Sequence, residues 1–417
     1  MPIVRFFYGW VVVGACFVCC ATYGTFYTFG VFFKPLQESF GWSYTLTSSV
    51  QSLHILVYVI SSFLIGWATD RFSPRLPLIA GAFCVGLGYV LCSKIQNIAQ
   101  LYVFYSIASV GAGIVWSLPL STVQRWFIEK RGLALGITLS GIGIGTFFWT
   151  PLVTHYIYSA GWRTAYGVMG VFTCAVLLLA ACFIAAPPKE NRKPGRLDKS
   201  LSTPRVPDFP ATDLDFHQAL RSSQLWLICL LQFLFNFGLF LVFVHLVPHA
   251  IQMGIGPSAS ARAVALIGGV SVLGKVISPT LVERNLQDRW ERGLALCAFG
   301  AAFMLFFLTQ VSGLWMLYLF VIIYGYFYGS WIPMVVALTG RSFGTKSLGS
   351  ILGFTQIGLT GGILGPLAGG LIYDVTGGYS LAFLICGFAF LLAGLIAFFL
   401  KTPSITECLS LSRLSSL

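Results

Sequence analysis

The 417-residue chain is 57% hydrophobic and 9% charged, with a mean hydropathy of +0.84. That composition excludes a soluble globular chain and predicts an all-α polytopic membrane protein. The net charge of +12 would suit nucleic acid, but the distribution of the cations gives it another meaning.

Twelve apolar segments lie near residues 8–33, 44–68, 76–93, 99–124, 132–157, 164–186, 224–248, 259–282, 292–311, 313–339, 349–373 and 380–400. Each is long enough to cross a hydrocarbon core of ~30 Å as a helix. They divide six and six: residues 1–186 form one expected bundle and 224–401 the other. Between them, residues 187–223 are rich in Lys, Arg and Pro and read as a cytoplasmic linker, with a short surface helix over Phe216 to Leu220. Residues 402–417 form a polar tail. The N-terminus has one Arg before its long first span and no small-residue cleavage site, which reads as a retained signal anchor.

Of the 25 Lys and Arg residues, only Lys34, Lys94, Arg163 and Arg262 fall in loops on one side, and Lys275 lies within a span. All the others share the side of the termini. By the positive-inside rule that side is cytoplasmic, so the basic charge is topology and no nucleic-acid partner is expected. The lipid bilayer is the expected surrounding, and the plasma membrane the expected location. All 13 acids fall in loops or at helix ends, which leaves no carboxylate in a membrane core. Every cysteine except Cys408 lies in an apolar span as a small hydrophobe.

Lys275 therefore stands out. It lies eight residues before Glu283-Arg284, ~12 Å from one face at ~1.5 Å per residue. A cation there costs roughly 2.5 to 3.5 kcal/mol on insertion scales and is by default functional. Ser271, Lys275 and Ser278 form one polar stripe of the helix, and the functional reading is an anion site.

The two halves look like repeats. Gly111 and Pro119 in span 4 are matched by Gly325 and Pro333 in span 10, and Asp70-Arg71 after span 2 by Glu283-Arg284 after span 8. The stretch from Ser159 to Tyr166 also echoes that from Thr376 to Phe383. Two similar six-helix halves imply a transporter with its site between them. Gly66-Trp-Ala-Thr-Asp70-Arg71-Phe-Ser-Pro-Arg75 resembles the loop signature of the major facilitator superfamily. Tyr8-Gly-Trp-Val-Val-Val13, and the stretch from Arg125 through Lys130-Arg131 to Gly136, resemble the two signatures of its monocarboxylate transporter family. The chain is also similar to oxalate/formate exchangers.

The resemblance implies the major facilitator fold of two pseudo-symmetric bundles, with spans 1, 4, 7 and 10 lining a central cavity. It also gives Asp70, Arg71, Arg75, Arg125 and Arg131 gating or signature roles. Lys275 falls where those relatives carry a carboxylate-pairing Arg. Their span 1 Lys aligns with Tyr27 and their span 8 Asp with Ser271, so their proton relay does not carry over.

Further binding candidates are Tyr27 in span 1, Asn236 in span 7, Tyr324, Tyr328 and Trp331 in span 10, and Gln356 in span 11. For the aromatic residues, packing is an equal alternative; for Asn236 and Gln356, interhelical hydrogen bonding is. His54 in span 2 is a second proton-coupling candidate beside Lys275, although a neutral His bonded to a neighbouring helix fits as well. His155, His245 and His249 lie toward outer span ends, where solvent is within reach.

The expected function is secondary transport of a small monocarboxylate such as lactate or pyruvate, with the carboxylate and a proton as partners. If Lys275 is neutral in the empty carrier, a carboxylate and a proton cross as a pair; if it stays charged, anion exchange is favoured. The resemblance favours symport. No nucleophile-base or metal constellation suits an enzyme, and no cofactor is expected. A drug exporter of the same fold would call for a buried acid, which the sequence lacks. Nothing in the sequence speaks to an ancillary subunit.

Overall fold

The computed structural model describes residues 8–69, 74–127, 131–185, 214–286, 289–344 and 348–400. Span 1 is one broken helix: α1 (Gly9–Tyr23), a tighter 3₁₀ segment over Gly24–Thr28, and α2 (Phe29–Phe40). It outruns the expected apolar limit at residue 33, because the helix continues through Lys34 and Pro35 and stops only at Gly41. Five helices complete the first half, α3 (Tyr44–Thr69), α4 (Arg75–Cys92), α5 (Ile98–Trp126), α6 (Arg131–Ala160) and α7 (Trp162–Phe183), and the short α8 (Phe216–Leu220) lies beyond it.

The second half contains α9 (Ser223–Gln252), α10 (Pro257–Asn285), α11 (Trp290–Leu308), α12 (Leu314–Phe343), span 11 and α15 (Ser380–Phe399). Span 11 is broken like span 1: α13 (Leu348–Thr355), a 3₁₀ segment over Gln356–Thr360, and α14 (Gly361–Thr376). Among the described residues, eleven helical stretches are long and apolar enough to cross a membrane. α3, with 26 residues, matches them in length and brings the long helices to twelve. Large apolar side chains such as Phe83, Val103, Phe148, Val171, Phe303 and Phe388 are exposed on the outside, as lipid contact requires.

Local chemistry sets several ends. Asn97 caps α5 by accepting from the Gln100 amide at 2.9 Å, and Ser222 caps α9 by accepting from the Gln224 amide at 3.2 Å. Gly161 after α6 and Gly377 after α14 both take positive φ, 87° and 71°.

α6 packs between α1 and α10, α3 packs on α14 and α2 on α9, and these contacts form the boundary between the halves. Glycines permit the closest approaches. A Cβ at Gly145 would overlap the Ala21 carbonyl of α1, and one at Gly143 would stand 2.5 Å from the Gly268 carbonyl of α10. Gly141 likewise meets α1, whereas Gly136 faces open space.

Candidate functional site

Lys275 occupies the boundary where α6, α10 and α12 converge. A Cβ at Gly329 would overlap the Ser271 carbonyl, and one at Gly274 would overlap the Tyr326 carbonyl, so α10 and α12 touch through their backbones. That contact buries Lys275 to 8% exposure. Its ammonium donates to the Leu139 carbonyl of α6 at 3.4 Å and to Ser271 Oγ at 3.5 Å. Ser271 Oγ in turn donates to the Gly268 carbonyl at 2.6 Å.

Both lysine contacts are long beside the ~2.7–2.9 Å of charge-assisted bonds, and an ammonium has three donors. Among the described residues Lys275 meets no carboxylate. Its Nζ also lies 6.0 Å from the centroid of the Tyr328 ring.

Tyr328 and Tyr27 meet through their hydroxyls, which joins α12 to the 3₁₀ segment of span 1. Phe243 of α9 packs on both, with ring centroids 4.7 Å from Tyr27 and 5.5 Å from Tyr328. Lys275, Ser271, Tyr27 and Tyr328 are thus brought together, with Phe243 and the Leu139 carbonyl beside them. The arrangement offers an anion one incompletely bonded cation, two hydroxyls and an aromatic wall.

The family model of the Major Facilitator Superfamily matches residues 15–362 and 286–410. The chain belongs to the major facilitator superfamily. It is accordingly a multi-pass membrane transporter, not an enzyme. It is 26% identical to monocarboxylate transporter 12 of Xenopus laevis, over 93% of this chain and 88% of that protein. It is 27% identical to the oxalate:formate antiporter of Oxalobacter formigenes, over 63% of this chain and 59% of that protein. A bacterial homologue of the human lysosomal transporter Spinster, solved in an inward-facing, unoccupied conformation, shares the fold. The TM-score is 0.73 at 15% identity, covering 94% of this chain and 97% of that one.

Within this superfamily fold the remaining candidates take other places. Trp331 stacks on Phe235 at 4.1 Å and donates to Gln232 Oε1 at 2.5 Å, entirely within the second half. Asn236 donates to the Gln232 carbonyl of its own helix at 2.7 Å, and Ser278 to the Gly274 carbonyl at 2.5 Å. Tyr324 is buried beside Phe320, and its hydroxyl has no hydrogen-bond partner. Gln356 is half-buried in the span 11 3₁₀ segment.

His54 sits inside the first half, stacked on Phe26 at 4.7 Å, with Nδ1 2.6 Å from Ser109 Oγ. Ser109 spends its proton on the Tyr105 carbonyl at 2.7 Å. His54 Nδ1 must therefore carry the proton it shares with Ser109, which fixes the neutral tautomer.

His245 and His249, expected near solvent, are buried instead, because Tyr379, just before α15, and Phe383 of α15 pack over them. His155 is exposed. Arg75 donates to the Ile184 carbonyl at 2.6 Å and the Cys182 carbonyl at 3.3 Å, tying α4 to the end of α7 in the same half. Arg125 lies in the last turn of α5. Asp70, Arg71 and the side chain of Arg131 lie outside the described residues.

Sequence reasoning passed over Phe243, Gln232 and the Leu139 carbonyl. Gln232 carried a signal, being a polar side chain in an apolar span. Phe243 was one of 37 phenylalanines, and a backbone carbonyl has no signature at all.

Proposed function

We propose that this transporter carries small monocarboxylates of the lactate or pyruvate kind with a proton, by alternating access, and that Lys275 pairs the carboxylate. The observation that supports this most is a lysine amine held between the two halves by two long contacts and, among the described residues, no carboxylate, so that it can take up a proton and an anion together. An entering carboxylate completes its bonding, and it does so at a place that either half can uncover. The likeness to monocarboxylate transporter 12 supports the substrate class. Lys275 is the proposed proton carrier; His54 is kept in the first half by Ser109 and Phe26. The face bearing the termini is taken as cytoplasmic and the membrane as the plasma membrane.

Exchange of one anion for another is the second reading, favoured by the likeness to an oxalate:formate antiporter. A single cation favours a monoanion, because a dianion would leave one carboxylate against aromatic faces, whose quadrupole repels it. Counterflow into proteoliposomes loaded with unlabelled lactate, pyruvate, formate or oxalate separates the readings. Trans-stimulation by lactate and pyruvate fits the first. Trans-stimulation confined to oxalate and formate supports exchange and overturns it.

A further inference from the structure

The two halves also meet far from Lys275, at the face opposite the chain termini. There α3 begins and α14 ends. The first backbone N–H groups of a helix have no partner within it and need an acceptor from elsewhere. At α3 the duty is divided. Ser43 Oγ of its own half accepts from the Leu46 amide at 3.1 Å. Asp374, in the last turn of α14 in the other half, takes the rest: Oδ1 accepts from the Tyr44 amide at 2.9 Å, and Oδ2 from the Thr45 amide at 2.8 Å and Thr45 Oγ1 at 2.6 Å.

A carboxylate at a helix N-terminus is also favoured by the helix dipole. Aromatic packing seals the same joint. The Tyr44 ring stacks on Tyr373 at 3.6 Å, and Tyr373 packs on Tyr379 at 4.5 Å. A Cβ at Gly370 would overlap Ser48 Oγ, so α3 and α14 are in backbone-level contact just inside the cap.

From this geometry we infer that Asp374 is a gating residue of the transport cycle: it caps the N-terminus of α3 from the opposite half and holds this face shut. A transporter that alternates access must part α3 from α14 here. Parting them strips three hydrogen bonds from one carboxylate and uncaps α3 in the same movement. The cap therefore biases the carrier toward the arrangement closed on this face and open on the other. The inference concerns the cycle and stands whichever anion Lys275 takes.

Hydrogen–deuterium exchange of the full-length protein in nanodiscs tests it without substrate. Asp374→Asn removes the charge and one acceptor, and loss of a helix cap shifts such an equilibrium by roughly two- to thirtyfold. Exchange is expected to rise by that order in peptides covering residues 40–52 and 366–380. It should fall in peptides covering 119–127 and 334–344 at the opposite face. A merely structural role would instead raise exchange at both faces together.

Thr45→Val deletes one of the three bonds without touching charge and should give the same opposed pattern at smaller amplitude, while Asp374→Glu should restore much of it. Equal rises at both faces, or unchanged exchange in both Asp374→Asn and Thr45→Val, would overturn the assignment.

Discussion

Lys275 of α10 donates to the main-chain carbonyl of Leu139 in α6 at 3.4 Å, so a cation buried in the second half is held by the first. The bond spans the boundary that alternating access must rearrange. Because it uses a carbonyl, it supplies no counter-charge, and the protonated amine is open to an anionic partner.

Substitutions at Lys275 should separate charge from shape. Removing one partner of a buried charge pair costs about 2–5 kcal/mol, more than a tenfold loss of affinity. Lys275→Ala is therefore expected to abolish binding of a labelled monocarboxylate at concentrations that saturate the parent protein. Lys275→Arg keeps the charge with a larger planar head and should retain weaker binding. Equilibrium binding to detergent-solubilised protein reads both.

The hydroxyl contact between Tyr27 and Tyr328 predicts non-additivity. Tyr27→Phe and Tyr328→Phe each remove one partner of the same contact, so the double variant should lose little more than either alone. A coupling of about 0.5–1.5 kcal/mol in transport efficiency is expected. Strict additivity in a double-mutant cycle would place the two hydroxyls in separate roles.

Helix crossings make a stability prediction with an internal control. Gly329→Val would drive a side chain into the Ser271 carbonyl and should cost about 1–3 kcal/mol by overpacking. The displacement falls on the turn of α10 that bears Lys275, so transport should fall with the melting temperature. Gly136→Ala meets open space and should leave stability unchanged or raise it by up to about 1 kcal/mol. Thermal unfolding followed by tryptophan fluorescence distinguishes the two.

His54 should behave as a structural histidine. Replacing it with Ala leaves Ser109 Oγ without its buried donor and Phe26 without its stacking partner, a loss of about 1–3 kcal/mol. The ratio of uptake with and without an inward proton gradient should stay at the parent value. Loss of that ratio in well-folded His54→Ala would transfer the coupling role from Lys275.

Most of the fold was legible in the sequence because hydrophobic length is a strong signal in a bilayer. The spans near 76–93 and 380–400 match α4 and α15 within about a residue, and even the surface helix Phe216–Leu220 is present. The 3₁₀ breaks at Gly24–Thr28 and Gln356–Thr360 were not legible, since neither changes the hydropathy of its span.

At the site, Lys275 announced itself through the cost of its burial, and Ser271 through helical spacing. What completes the place did not. Leu139 contributes only a carbonyl, and Phe243 is apolar among apolar neighbours. Asp374 was read as one more acid at a helix end, because its partners, the amides of Tyr44 and Thr45, lie about 330 residues away in the chain. His245 and His249 were misplaced for a related reason: position along a helix does not reveal that α15 covers it.

The central claim is that Lys275 pairs a monocarboxylate whose passage is linked to a proton. Uptake of radiolabelled lactate into proteoliposomes, with and without an inward proton gradient, for the parent protein and Lys275→Ala side by side, tests it most directly. The account predicts gradient-stimulated accumulation by the parent and none by the variant. Normal accumulation by Lys275→Ala, or uptake by the parent that ignores the gradient and requires an internal counter-anion, would contradict it.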